Sequence, residues 1–164
     1  MTESEHVAFR EQLIQHEGIR LHVYRDSKGI ETIGVGRNLR GKGISYSEAM
    51  MLLDHDITDF TRDVARALPW TEGLDAIRLR VILDMAFNLG VDGLLTFRRF
   101  LASVKTGDYA VASQDMLDSL WARQVGQRAH TLAAMMLTGR PPQTGELKAL
   151  RCSFSHRRWM PTRC

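Results

Sequence analysis

The sequence predicts an α+β protein, mostly α, with a small β-containing lobe and a larger helical lobe joined by a long helix. Three observations lead there. Apolar residues recur at helical spacing over most of the chain beyond residue 45. β-Branched residues between glycines occur together only from Leu21 to Gly36. The helical stretches end at glycine or proline, residues that stop helices. With 164 residues, 44% hydrophobic and 25% charged, the chain has the make-up of one globular domain and is neither disordered, collagenous nor fibrous. Two cysteines exclude a disulfide-built scaffold.

Residues 3–16 place Val7, Phe9, Leu13 and Ile14 among polar residues with four- and seven-residue spacings, read as one apolar face of a first helix that stops at Gly18. Val23-Tyr24, the turn-like Asp26-Ser27-Lys28-Gly29 and Thr32-Ile33-Gly34-Val35-Gly36 read as a small hairpin or short sheet. Ser45 with Glu48 forms a capping-box signature. It opens a long helix whose stripe runs through Leu52, Leu53, Ile57, Phe60, Val64 and Leu68 to Pro69. Four helical stretches follow: Leu74–Leu89 ending at Gly90, Leu94–Val104 ending near Gly107, Tyr109–Leu117, and Leu120–Leu137 ending at Gly139. Pro141-Pro142 closes the periodic part. The expected organisation is a domain over 1–140, with a β-bearing lobe at about 17–65 and a helical lobe at about 1–16 and 66–140. Residues 141–164 form a basic tail. A cleft between such lobes is a natural place for a long substrate.

The charge is uneven. The net +3 resolves into +5 from Arg140 to Cys164 and −2 over the rest. A basic tail suits an anionic surface such as wall polymer, lipid headgroups or nucleic acid, and only charge speaks for the last. The acidic start Met-Thr-Glu-Ser-Glu lacks the basic segment of an export signal, and no apolar run approaches the 18 residues or so that cross a bilayer. The expected chain is therefore soluble and monomeric, made in a cytoplasm and released by other means.

Glu17 stands at the end of the first helix, where the negative end of the dipole disfavours the ionised carboxylate and favours a form able to donate a proton. Asp26 follows nine residues later and Thr32 six further on, so a hairpin can bring both to one rim, where a carboxylate and a hydroxyl can hold a water. A solvated Glu17, an Asp26 that caps its own turn and a Thr32 that is merely a β-former account for the spacing equally well.

The run Glu17-Gly18, Tyr24, Asp26, Thr32-Ile33-Gly34 and Gly36 resembles the phage-type lysozymes, or endolysins, of glycoside hydrolase family 24. The resemblance extends through Asp84-Met-Ala-Phe87-Asn88-Leu-Gly90, Phe97, Ser119-Leu-Trp121 and Gln127-Arg128-Ala129 to Thr138-Gly139. It implies a lysozyme-like fold and a cofactor-free muramidase acting on peptidoglycan. Glu17 would be its general acid, with Asp26 and Thr32 holding a water on the opposite face of the sugar, and the outcome inverting. It also implies that Arg128 lies near the general acid, where pairing would favour the ionised form against the dipole. Asp84, Asn88 and Phe97 would stand beneath or beside the site. Holin-dependent release or association with a virion would bring the enzyme to the wall. Arg37 departs from the pattern: many relatives carry histidine there, so an ion pair centred on it is either rebuilt or absent.

Other chemistries are weaker. Gly36 to Gly41-Lys42 falls one residue short of a nucleotide P-loop, with Gly43 where a magnesium-binding hydroxyl belongs. Gly34-x-Gly36 lacks the third glycine of a dinucleotide site. Six scattered histidines form no zinc spacing, so no metal is expected. Cys152 and Cys164 lie in the tail and read as free thiols rather than a local disulfide, and Arg157, Arg158 and Trp159 read equally as a wall anchor or as part of a plainly disordered, solvated end. The rivals are a lytic transglycosylase, against which Asp26 and Thr32 argue, and a non-catalytic wall-binding or virion structural protein.

Overall fold

The computed structural model describes residues 1–142. Cys152, Cys164, Arg157, Arg158 and Trp159 lie outside the described residues. The chain divides into two compact units, one spanning Met1–Asp54 and one from His55 onward.

In the first unit, α1 (Glu3–Glu17) opens on a capping box in which the Thr2 side chain accepts from the Glu5 amide and the Glu5 carboxylate takes the Thr2 amide. It ends at Gly18, whose N–H reaches the Ile14 carbonyl. The helix is where the sequence placed it, but the single apolar face is not. At about 100° per residue, Val7 and Ile14 fall on one side and Phe9 and Leu13 on nearly the opposite one. No α1 residue is buried, and Phe9 and Leu13 are exposed.

Strands β1 (Arg20–Arg25), β2 (Glu31–Gly34) and β3 (Arg37–Asn38) form an antiparallel sheet in that order. Thr32 pairs with Tyr24 on one side and Asn38 on the other. The β1–β2 turn closes with the Asp26 amide on the Ile30 carbonyl and the Gly29 amide on the Asp26 carbonyl. The long helix α2 (Tyr46–Ala67) starts in this unit under the expected Ser45–Glu48 cap and ends in the next. Its stripe is buried only toward its C-terminal end, at Val64 and then Leu68, while Leu52 and Ile57 are exposed.

The second unit continues through a 3₁₀ turn begun by Pro69 into α3 (Ala76–Leu95), α4 (Arg98–Lys105), α5 (Tyr109–Leu117), α6 (Leu120–Val125) and α7 (Gln127–Thr138). Val81, Ile82 and Met85 of α3 meet Phe100 and Val104 of α4, Met116 of α5 and Met136 of α7 in a fully buried core. Arg78 ties α3 to the end of α7 by donating to the Met136 and Leu137 carbonyls at 2.8 and 3.1 Å while lying 3.6 Å over the Tyr109 ring.

Two helical boundaries differ from expectation. The stretch predicted from Leu94 breaks at Thr96, whose hydroxyl donates to the Gly93 carbonyl, and Phe97 leaves helical geometry before α4 begins. Residues Leu94 and Leu95 thus finish α3, beyond a break at Gly90 that the sequence did place. The stretch Leu120–Leu137 is two helices, because Gly126 adopts φ 58°, ψ −126°, a backbone that only glycine holds without strain. Among the described residues, no helix is long and apolar enough to cross a membrane.

Candidate active site

Glu17 is the last residue of α1, exposed, with its carboxylate against the β2–β3 turn. Its Oε2 lies 3.8 Å from the place a Cβ on Gly36 would occupy. Gly36 has φ +69°, so the turn that faces the glutamate is one that glycine forms easily and that keeps the approach open.

Asp26 follows β1 directly and is half-buried. Its Oδ1 accepts from the Lys28 and Ile30 amides, both at 2.8 Å, so one oxygen does cap the turn. Its Oδ2 takes no part in those bonds. Thr32 is 4% exposed and its hydroxyl donates to the Ile30 carbonyl at 3.0 Å, which fixes the oxygen while leaving its lone pairs. Thr32 stands opposite Tyr24, two residues before Asp26. The aspartate and the threonine thus stand at the turn end of one hairpin, and both lie in the unit that carries Glu17.

Behind this turn Arg37 forms a fork on Glu48, Nη1 to Oε1 at 2.5 Å and Nη2 to Oε2 at 2.8 Å, while its Nε donates to the Gly43 carbonyl. The ion pair that the departure at Arg37 left open is thus rebuilt on the α2 cap residue. The Ser45 amide and hydroxyl, then Arg37, hold the Glu48 carboxyl down to about 2. Next to Gly36 a groove of about 630 Å³ opens, with Arg20, Arg37 and Lys42 on its walls. The Arg20 guanidinium lies 4.4 Å over the Tyr24 ring. Sequence reasoning did not mark Arg20, and it weighed Lys42 only within the P-loop-like stretch that it set aside; for both, the signal was proximity to the motif.

The other site residues fall in the second unit. Arg128, in the first turn of α7, donates from Nε to Asp84 Oδ1 at 2.9 Å, with Nη2 in ion-pair contact with the same oxygen at 2.7 Å. Asn88, one turn beyond Asp84 on α3, accepts from the buried Trp121 indole N–H at 2.7 Å. Phe97 meets the same indole edge to face at 6.2 Å. The structure therefore joins Asp84 with Arg128, and Asn88 with Trp121 and Phe97. Trp121 had been read only as part of the motif. Among the described residues no cluster of three histidine, cysteine or acidic side chains is placed to hold a metal.

A glutamate closing a helix in the same unit as a hairpin that presents a carboxylate and a hydroxyl is a layout on which two-carboxylate acid–base chemistry can run. The chain belongs to the phage lysozyme family, whose model matches residues 14–135. It is 30% identical to the pre-baseplate central spike protein Gp5 of Enterobacteria phage T4, over 81% of this chain and 28% of that protein, so it spans less than a third of that relative. It is also 26% and 23% identical to the probable T4-type lysozymes 1 and 2 of Dictyostelium discoideum, over 80% of this chain and 95% of each of them.

Proposed function

We propose that the protein is a lysozyme that hydrolyses the β-1,4 bond between N-acetylmuramic acid and N-acetylglucosamine in peptidoglycan. The observation that carries this reading is the placing of Glu17, Asp26 and Thr32 in one unit inside the region matched to the phage lysozyme family. Glu17 protonates the leaving glycosidic oxygen. Asp26, through the oxygen left outside its turn, and the Thr32 hydroxyl hold the attacking water, whose delivery from the opposite face inverts the sugar. Inversion requires the two carboxyls to stand roughly 6.5–9.5 Å apart so that a water fits between them. Arg128 acts through Asp84, and Asn88 through Trp121, as positioning residues.

The chain acts in cell-wall degradation and bacterial lysis, is made in the host cytoplasm and meets the wall after release. Its likeness to a spike protein supports a second route, delivery as part of a virion.

The test is the product of purified peptidoglycan with wild type beside Glu17→Gln. Reducing muramic acid ends that fall by about 10²-fold or more in the variant support the lysozyme reading. Anhydro ends would make the enzyme a transglycosylase and remove the role of Asp26. No cleavage by either protein would turn the assignment to a wall-binding or structural role.

A further inference from the structure

The sheet region of the first unit carries unmatched positive charge. Residues 18–44 hold six basic side chains against two acidic ones. Two of the six, Arg20 and Lys42, line the groove of about 630 Å³ beside Gly36, and no acidic residue lines it with them. The sheet register brings them there. Arg20 pairs with Gly34 across β1 and β2, Thr32 of β2 pairs with Asn38 of β3, and the Lys42 amide reaches the Asn38 carbonyl at 3.0 Å. The third cation on the wall, Arg37, is already engaged: its Nε donates to the Gly43 carbonyl and both its Nη nitrogens to Glu48.

Arg20 and Lys42 are in a different condition. Both are exposed, and among the described residues neither side chain has a hydrogen bond or an ion pair. The Arg20 guanidinium is steadied 4.4 Å over the Tyr24 ring, a contact through its flat face that leaves the N–H donors at its edge free. Opposite it Gly34 brings no side chain, and a Cβ there would meet nothing within 4 Å, so the space beside the guanidinium is open.

Two free cations without an acid between them suit a dianion. A phosphate monoester carries about two negative charges at pH 7 and three acceptor oxygens, which an arginine fork and a lysine ammonium can share. Leu21, Ile33 and Val35 add apolar wall, and the volume lies within the roughly 300–1,000 Å³ of small-molecule sites, leaving room for a carrier with an apolar face such as a sugar ring.

We propose that this groove binds a phosphorylated sugar, its phosphate on Arg20 and Lys42 and its ring against Leu21, Ile33 and Val35. The phosphosugar is either a residue of the wall polymer or a free sugar phosphate, and only the first source rests on the lysozyme reading. Neither cation belongs to the catalytic set.

The full-length protein, labelled for amide NMR, is titrated with N-acetylglucosamine 6-phosphate and with N-acetylglucosamine. Saturable shifts at residues 20–21, 33–38 and 42 are expected with the first, at an affinity about tenfold or more above that of the second. Arg20→Gln and Lys42→Gln should each weaken binding several-fold, and both positions are exposed, so the fold survives the change. Arg25→Gln and Arg40→Gln, which remove cations of the same region outside the groove, should leave the affinity unchanged. No saturable shift with the phosphosugar, equal affinity for the two sugars, or losses in the Arg25 and Arg40 variants as large as in the groove variants would overturn the proposal, the last by reducing it to diffuse attraction. The source follows from KM on peptidoglycan bearing muramic acid 6-phosphate against the same material treated with phosphatase. A lower KM on the phosphorylated polymer, with the difference lost in Arg20→Gln, assigns the wall, and equal KM values assign a free sugar phosphate. A protein that binds the phosphosugar yet cleaves neither polymer would leave the groove standing and defeat the lysozyme reading.

Discussion

Asp26 Oδ1 caps the hairpin turn, and Oδ2 stands outside those bonds, where the proposed mechanism uses it. The roles separate in Asp26→Asn, because an asparagine oxygen can cap the same turn but carries no charge. That variant keeps a cap but loses its charge, so it should unfold within about 1 kcal/mol of wild type, yet release far fewer reducing ends. A large loss of stability instead would make the residue structural.

Glu48 gives a prediction in pH. Its folded value of about 2 lies below the ordinary 4.5, so it adds stability that is fully present above about 4.5 and lost as pH falls toward 2. The Tm gap between wild type and Glu48→Gln should be constant above that window and close within it. A gap that persists at pH 2 would exclude the carboxylate as its source. The capping role of Glu48 was legible from Ser45-x-x-Glu48. Its fork with Arg37, eleven residues away, was not, since only the β2–β3 turn brings the two together.

Among the elements, those read correctly carried their own punctuation: the Ser45 cap and Pro69 around α2, Gly90 within α3, and Tyr109–Leu117, which the structure reproduces as α5. The misreadings are those where periodicity ran on through a break. Gly126 stood in plain view inside the last stretch, but an isolated glycine is tolerated in a helix, so apolar spacing outweighed it. Gly126→Ala should destabilise the protein by about 1–3 kcal/mol, the usual range for forcing a side chain into such a backbone, in denaturant unfolding. A neutral result would mean that the α6–α7 junction relaxes into continuous helix. In α1 the error was of another kind: the apolar residues were counted without the angle that puts Phe9 and Leu13 opposite Val7 and Ile14.

Over the whole molecule, charge and family membership are the properties most directly legible. Removing residues 143–164 changes the net charge from +3 to −1. Adsorption to isolated anionic cell walls should then weaken at low salt and lose most of its salt dependence, because exposed charges are screened by added ions. Equal adsorption by both forms at roughly 50 mM and roughly 300 mM salt, between which the Debye length falls from about 14 to about 6 Å, would deny the tail a wall-binding role.

By itself the sequence determined the α+β class, the helix caps, the order of Glu17, Asp26 and Thr32, and the family to which these residues belong, because spacing, capping and turn chemistry are local along the chain. Tertiary structure decided which partner each polar group takes: Asp84 for Arg128, Asn88 for the Trp121 indole, Glu48 for Arg37, and, among the described residues, none for Asp115 Oδ2. Those pairings join residues from 11 to 44 positions apart. Partners so distant meet only when packing has fixed the elements that carry them, and a buried oxygen left without one exists only once a core has closed around it.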